Sequence, residues 1–145
     1  MADTFQLEVV TPVREVVREA ATEAQIPAKG GYLGVLPGHT PLLSEMGIGE
    51  LSYQVGGRRR YCTAMGGFVE VLGDRAIVLA EGAERAEEID VARAQAARDR
   101  ARKRLATPID PTIDWKRAEA ALKRAEVRLQ VAAKAGTAST AAGSH

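Results

Sequence analysis

The sequence predicts an α+β protein in which an N-terminal antiparallel β-sandwich is followed by a C-terminal antiparallel αα-hairpin. Up to Ala80, short apolar runs alternate with turns that contain glycine or proline, which is the pattern of many short strands. Beyond that residue the composition changes abruptly to two alanine-rich segments with a helical period. Because Pro108 and Pro111 break the chain between these segments, the second helix can return alongside the first.

The strand region opens with an alternating run at 5–9, which Thr11-Pro12 closes. Residues 13–24 fit either a strand or a helix, and an apolar run at 32–36 follows between two glycine-containing turns. Two β-hairpin signals come next, each a pair of apolar runs around a turn dipeptide. The pairs are 51–55 with 58–64 across Gly56-Gly57, and 68–72 with 76–80 across Gly73-Asp74. So many short strands at this spacing predict a sandwich or barrel.

The two helical segments, 89–106 and 113–135, contain no glycine or proline. Asp90 and Asp114 stand where a helix needs an N-cap. A mainly apolar line runs along each predicted helix: Val91, Ala94, Ala97, Ala101 and Leu105 on the first, and Trp115, Ala118, Leu122, Ala125 and Leu129 on the second. Since alanine buries little apolar area, we expect the hairpin to be only marginally stable alone and able to detach.

Three regions follow from these patterns: a β-sandwich domain at 1–86, a helical hairpin at 87–134 and a disordered tail at 135–145. The net charge also differs between the strand region and the helical region. Residues 1–83 carry 7 Lys and Arg against 10 Asp and Glu, whereas residues 84–134 carry 13 against 9. The basic half suggests an acidic partner, and the acidic half does not suggest a nucleic acid.

Two arginine rows are the strongest functional signal. Each helix carries arginines at i, i+7 and i+11: Arg93, Arg100 and Arg104 on the first, and Arg117, Arg124 and Arg128 on the second. Such steps return to one helix face, and both rows lie on the same side of their apolar lines. The rows should therefore converge on one flank of the hairpin, where an anion would relieve their repulsion. The alternative is a solvated charged face, which is common on helices.

Catalytic and metal-binding chemistry is not apparent. The only histidines are His39 and His145, and the glycine-rich stretch at 31–40 lacks the lysine of a phosphate-binding P-loop. Cys62 has no partner for an internal disulfide, and we expect it to be a buried, inert thiol. No apolar run approaches the roughly 20 residues that span a bilayer. We therefore expect a non-catalytic protein with no metal and no direct membrane insertion.

Three segments together resemble the epsilon subunit of F-type rotary ATP synthases. Their sequences are GYLGVLPGHTPL at 31–42, GGFVEV at 66–71 and AERAEEIDVARA at 83–94. The first is similar to the family's glycine-rich loop, the second to its central hairpin and the third to the junction into its helices. The order and spacing match over roughly residues 3–133.

The resemblance implies a ten-stranded sandwich followed by a mobile hairpin, in a non-catalytic subunit of the central stalk. The sandwich would grip the gamma subunit and rest on the c-ring. The extended hairpin would reach the alpha/beta catalytic hexamer and block ATP hydrolysis. The implied location is peripheral, at the cytoplasmic face of the bacterial plasma membrane. Candidate residues for the c-ring or gamma contact are Tyr32, Gly34, Pro37 and His39, with Tyr32 standing where the family often has an acidic residue.

The resemblance also implies a regulatory nucleotide site. Ile89-Asp90-x-x-Arg93-Ala94 matches the family's Ile/Leu-Asp-x-x-Arg-Ala motif, and some bacterial members bind ATP there. The candidate nucleotide-binding residues are Glu84, Ile89, Asp90, Arg93, Ala94, Arg100, Arg124 and Arg128. No cofactor is required, and ATP is the candidate regulatory ligand. Asp90 and Arg93 could instead simply cap and pair within the first helical turn.

Two other functions compete with this interpretation. Basic helices can bind phosphate backbones, but Trp115 is the only aromatic residue of the basic half and belongs to an apolar line. An adaptor with a coiled-coil hairpin would carry bulkier apolar residues than these alanines. We therefore expect no nucleic-acid partner.

Overall fold

The computed structural model describes residues 3–107 and 110–136. Pro108, His145 and the predicted tail from residue 137 onward lie outside these residues. Eight strands come first: β1 (Phe5–Val10), β2 (Glu15–Ala21), β3 (Glu23–Ala28), β4 (Gly31–Val35), β5 (Leu42–Glu45), β6 (Ile48–Val55), β7 (Arg58–Val71) and β8 (Arg75–Gly82). A 3₁₀ turn at Ala86–Glu88 then leads into helices α1 (Val91–Ala106) and α2 (Trp115–Ala132). The predicted α+β fold is confirmed.

The strands form one continuous sheet in the order β2-β1-β8-β7-β6-β3-β4, and β5 pairs with β7. All pairings are antiparallel except that of β1 with β8, which is parallel. The described residues hold eight strands rather than the ten that the resemblance implies. Both predicted hairpins are present. The turn at Gly56-Gly57 has positive φ at both residues (59° and 79°), as a type I′ turn requires.

Strand β7 differs from the prediction, because the expected strands at 58–64 and 68–72 merge into one of 14 residues. Its first half pairs with β6, and its second half pairs with β8 and β5. Between the halves, Gly66 and Gly67 adopt positive φ. A Cβ atom on Gly67 would lie 2.0 Å from the Leu79 carbonyl oxygen, so only glycine allows β8 to approach this closely. Strand β7 therefore continues through these two glycines without ending.

A single apolar core fills the sandwich and draws on both halves of the sheet. Leu7, Ile26, Leu51 and Val69 are among its fully buried side chains. Cys62 is also fully buried, as expected, and burial raises the pKa of its thiol to about 12.

Both helices begin at the predicted N-caps. The Asp90 carboxylate accepts a hydrogen bond from the Arg93 backbone N–H at 3.0 Å, and Asp114 accepts one from Arg117 at 3.1 Å. The seam between the helices is made of small residues, and its buried members are Ala94, Ala101, Ala118 and Ala125. Val91 and Trp115, which the sequence placed on the apolar lines, are exposed at the ends of the seam. No helix within the described ranges is long and apolar enough to cross a membrane.

The hairpin docks on the sandwich through the other face of α2. Val127 and Val131 pack in a second apolar cluster that includes Met65 of β7. Just beyond α2, Lys134 donates to both carboxylate oxygens of Glu50 at 2.7 and 2.8 Å. Its ammonium nitrogen also lies 4.8 Å from the centre of the Tyr61 ring. The docked hairpin therefore closes one side of the junction between the two domains.

Candidate anion-binding site

A polar pocket of about 460 Å³ lies where the sandwich passes into the hairpin. Its lining residues come from the junction, from α1 and from α2: Glu84, Glu88, Asp90, Arg93, Ala94, Ala97, Arg100 and Arg128. Three arginines and three carboxylates thus share one cavity. The small side chains of Ala94 and Ala97 complete its lining.

Helix geometry explains why the arginines meet here. Arg93 and Arg100 lie seven residues apart and therefore on one face of α1. Because α2 runs antiparallel to α1, Arg128 near its end comes opposite the first turns of α1. The pocket thus receives guanidinium groups from both arginine rows.

Six of the eight candidate nucleotide-binding residues line this pocket, and two do not. Arg124 lines a neighbouring cavity beside Met65 and Gly82. Ile89 is buried in the second apolar cluster with Val127. Arg124 lies four residues before Arg128 and so one turn from the pocket, whereas Ile89 acts as a packing residue that holds the junction against α2.

Sequence reasoning missed Glu88 and Ala97 as lining residues. Ala97 stood on the predicted apolar line, one turn after Arg93, so helical spacing could have found it. Glu88 lies in the 3₁₀ turn, where its carboxylate accepts a hydrogen bond from the Arg85 backbone N–H at 3.0 Å. Local sequence offers no signal that this acid faces a pocket built from two helices.

Each carboxylate of the pocket already has a positive or donor partner. Arg128 Nε donates to Glu84 Oε1 at 2.7 Å, with both side chains 33% exposed. Asp90 caps α1. Glu88 accepts from both terminal nitrogens of Arg14, each at 2.8 Å, and this bidentate pair lowers the pKa of Glu88 to about 2.

The positive charges of two pocket arginines are not paired with any carboxylate among the described residues. The guanidinium groups of Arg93 and Arg100 form no ion pair or side-chain hydrogen bond with any residue in 3–107 or 110–136. Both residues are exposed, so an incoming anion would not have to displace an internal partner from them. Within those same residues, no group of three or more His, Cys, Asp and Glu is arranged to hold a metal ion. The arrangement can bind a polyanion.

The candidate c-ring or gamma contact residues lie elsewhere, in β4 and the loop after it. Tyr32 is 59% exposed, and its hydroxyl accepts a hydrogen bond from the Glu50 backbone N–H at 3.2 Å. Gly34 is also exposed on β4. Pro37 and His39 are half-buried in the loop, where His39 Nδ1 lies 2.6 Å from the Thr40 carbonyl oxygen. None of the four lines the arginine pocket.

An apolar groove on the sandwich was not predicted. Phe68 of β7 and Leu79 of β8 are paired in register and are 49% and 55% exposed. They line a groove of about 730 Å³ together with Met46 and Pro12. Exposed apolar side chains clustered in this way mark an interaction surface. The alternation of a strand shows which residues share a face, but not which face a partner covers.

Comparisons with known proteins cover nearly the whole chain. Residues 4–86 match the model of the ATP synthase delta/epsilon chain β-sandwich domain, and residues 87–133 match the model of its long α-helix domain. The ATP synthase epsilon chain of Solibacter usitatus is 55% identical over 137 residues, which cover 92% of this chain and 99% of that one. The corresponding chain of Koribacter versatilis is 57% identical over 107 residues, with 74% and 75% covered.

A solved structure shares the fold. It is a chain of the mitochondrial ATP synthase of Euglena gracilis, in a structure of its OSCP, F1 and c-ring, with a TM-score of 0.76 and 23% identity. The match covers 94% of this chain and 83% of that one.

Proposed function

Because the chain belongs to the ATP synthase epsilon-chain family, whose members are non-catalytic subunits of the central stalk, we propose that it couples the rotor to the c-ring and restrains ATP hydrolysis through its hairpin. In this proposal the sandwich binds the gamma subunit and the c-ring. The hairpin, when extended, reaches the alpha/beta hexamer. The subunit works at the cytoplasmic face of the bacterial plasma membrane as a peripheral component.

One observation carries the regulatory part of the proposal: the docked hairpin brings Arg93, Arg100 and Arg128 into one pocket. Extension would separate α2 from the junction and dismantle that pocket. A ligand that binds only the docked form shifts the population toward it. ATP fits because its triphosphate can pair with guanidinium groups, while Glu84 and Asp90 can accept hydrogen bonds from its base or ribose. ATP would therefore oppose inhibition by holding the hairpin down.

The ATP site is tested by calorimetry on the full chain. We expect Arg93→Ala and Arg100→Ala each to weaken ATP binding about ten-fold or more, equivalent to at least ~1.4 kcal/mol. Arg102→Ala is the matched control, because Arg102 lies on the same helix but pairs with Glu126 at 3.8 Å, away from the pocket. Absence of binding at millimolar ATP, or equal losses in all three variants, would contradict the proposal.

The inhibitory role rests on the charge of the hairpin. Residues 91–128 carry 11 Lys and Arg against 5 Asp and Glu, which suits docking against acidic segments of a catalytic hexamer. Deleting residues 88–145 from the assembled enzyme should raise its ATPase activity and leave proton-driven synthesis largely intact. Unchanged ATPase activity would show that the hairpin does not restrain hydrolysis.

Two surfaces are candidates for binding the gamma subunit. One is formed by the predicted contact residues of β4 and the loop after it, and the other is the apolar groove. We assign gamma to the groove, because Phe68 and Leu79 offer the apolar centre that stable interfaces need. Leu79→Ser should weaken capture of gamma at least ten-fold, whereas Val13→Ser, which changes an even more exposed residue in a turn, should not. Tyr32, Gly34, Pro37 and His39 would then face the c-ring. Equal capture by both variants would reject the groove.

A further inference from the structure

The arginine pocket poses an electrostatic problem, because three carboxylates surround a site that is proposed to bind a polyanion. Glu84 and Asp90 are satisfied from within the hairpin, by Arg128 and by the start of α1. Glu88 is different, since its main partner, Arg14, belongs to the sandwich. Arg14 follows β1, 74 residues before Glu88, and does not line the pocket.

The geometry of this pair is well defined on both sides. Arg14 binds both oxygens of Glu88 at 2.8 Å, the parallel two-bond arrangement that a guanidinium makes with a carboxylate. The backbone of Arg14 is fixed by Thr11, whose backbone N–H donates to the Arg14 carbonyl oxygen at 2.9 Å. The Thr11 hydroxyl oxygen also accepts from the Arg14 N–H at 3.2 Å. Glu88 is held in turn by the backbone N–H of Arg85.

Arg14 lies outside the pocket, and this position affects the charge that an anion would meet inside it. Arg14 takes up the charge of Glu88 from outside the cavity, and so Arg93 and Arg100 do not have to neutralise it. Without Arg14, the nearest cation to Glu88 outside the pocket would be Arg85, whose guanidinium contact is a single one at 3.5 Å. The negative charge of Glu88 would then act on the pocket, repelling an anion and competing for its arginines.

We propose that Arg14 is a positioning residue for the anion site: by binding both oxygens of Glu88, it neutralises a negative charge that would otherwise compete for the arginines of the pocket. This inference rests on the proposed anion site. It makes the affinity of the hairpin pocket depend on a residue of the β1–β2 turn that does not itself line the pocket. The sandwich thereby influences the anion concentration at which the hairpin stays docked.

The test is calorimetry on the full chain with ATP and, separately, with inorganic tripolyphosphate, which probes the anion site without a base or ribose. Arg14→Ala should weaken binding of both probes about five-fold or more. Glu88→Gln should bind at least as tightly as the unmodified chain, because it removes the competing charge. The double variant Arg14→Ala with Glu88→Gln should bind as Glu88→Gln does. Arg14→Lys should fall between the unmodified chain and Arg14→Ala, because lysine keeps the charge but loses the second hydrogen bond.

Arg18→Ala is the control, since Arg18 lies on β2 and pairs with Glu15 at 3.2 Å. If the pair served only to brace the fold, Glu88→Gln would weaken binding as much as Arg14→Ala, and the double variant would recover nothing. That result overturns the inference, as does normal binding by Arg14→Ala. An unmodified chain that binds neither probe refutes the anion site itself. Binding of ATP but not tripolyphosphate refutes the charge argument alone.

Discussion

The sandwich and the hairpin contrast in what fills their interiors. The sandwich is packed with large side chains such as Leu7, Ile26 and Leu51, all fully buried. Between the helices, in contrast, the buried residues are alanines, and the larger buried residues of α2, Val127 and Val131, pack toward the sandwich instead. Since each buried Val or Leu contributes about 1.5–3 kcal/mol, the sandwich has a core of its own. The hairpin depends on what it docks against, which suits the mobile role proposed for it.

The largest expected effect is on the sandwich core. Leu51→Ala should lower the free energy of unfolding by about 2–5 kcal/mol, because it leaves a cavity in a closely packed interior. Denaturant titration of the full chain measures this. Leu122→Ala, at a half-buried position on α2, should cost much less. Comparable losses would mean that the seam between the helices is a core in its own right.

A smaller effect is expected where the hairpin meets the sandwich. Val131→Ala removes a fully buried side chain from the second apolar cluster and should weaken docking by about 1–2 kcal/mol. Hydrogen exchange should then accelerate in α2 and leave β1 and β6 unchanged. Equal acceleration in the strands would show that the two domains unfold as one unit.

The polar contact at the end of the hairpin should contribute less. Glu50→Gln replaces the carboxylate that accepts two hydrogen bonds from Lys134 by a neutral amide. Because Lys134 is 38% exposed, we expect a loss of about 1 kcal/mol in docking, and a weaker dependence of docking on salt. The exchange rates of α2 at low and high salt report both quantities. A salt response like that of the unmodified chain would exclude this pair as a docking contact.

The smallest effect concerns pH, because the Arg14–Glu88 pair is partly exposed, at 40% and 31%, and solvent screens it. Because hydrogen bonding to Arg14 lowers the pKa of Glu88 from 4.5 to about 2, the pair contributes stability that is fully present above pH 4.5. That contribution disappears as the pH falls through about 2, and Glu88→Gln should abolish this part of the acid response. Thermal unfolding of both chains between pH 2 and 6 compares them. Parallel profiles would assign the acid response to other carboxylates.

Local patterns in the sequence account for much of the fold. Glycine pairs in turns predicted the hairpin at Gly56-Gly57, and Asp90 and Asp114 predicted where the helices begin. The sequence did not predict that β7 runs unbroken through Gly66-Gly67. That outcome depends on the close approach of β8, a contact that no local pattern encodes.

Local patterns likewise predicted some residues of the candidate site and not others. Helical spacing placed Arg93 and Arg100 on one face, and the antiparallel return of α2 brought Arg128 to them. Glu88 and its partner Arg14 could not be found in this way, because their contact joins residues 74 positions apart. The contact exists only because the 3₁₀ turn leaves the sandwich beside the β1–β2 turn.

In the proposed regulation, a polyanion binds the docked hairpin and holds it against the sandwich. Hydrogen exchange of the full chain, measured with and without millimolar ATP, tests this. We expect slower exchange in the first turns of α1 and throughout α2, with the sandwich strands unchanged, and no such slowing in Arg93→Ala. Exchange in α2 that is indifferent to ATP, or faster in its presence, would contradict it.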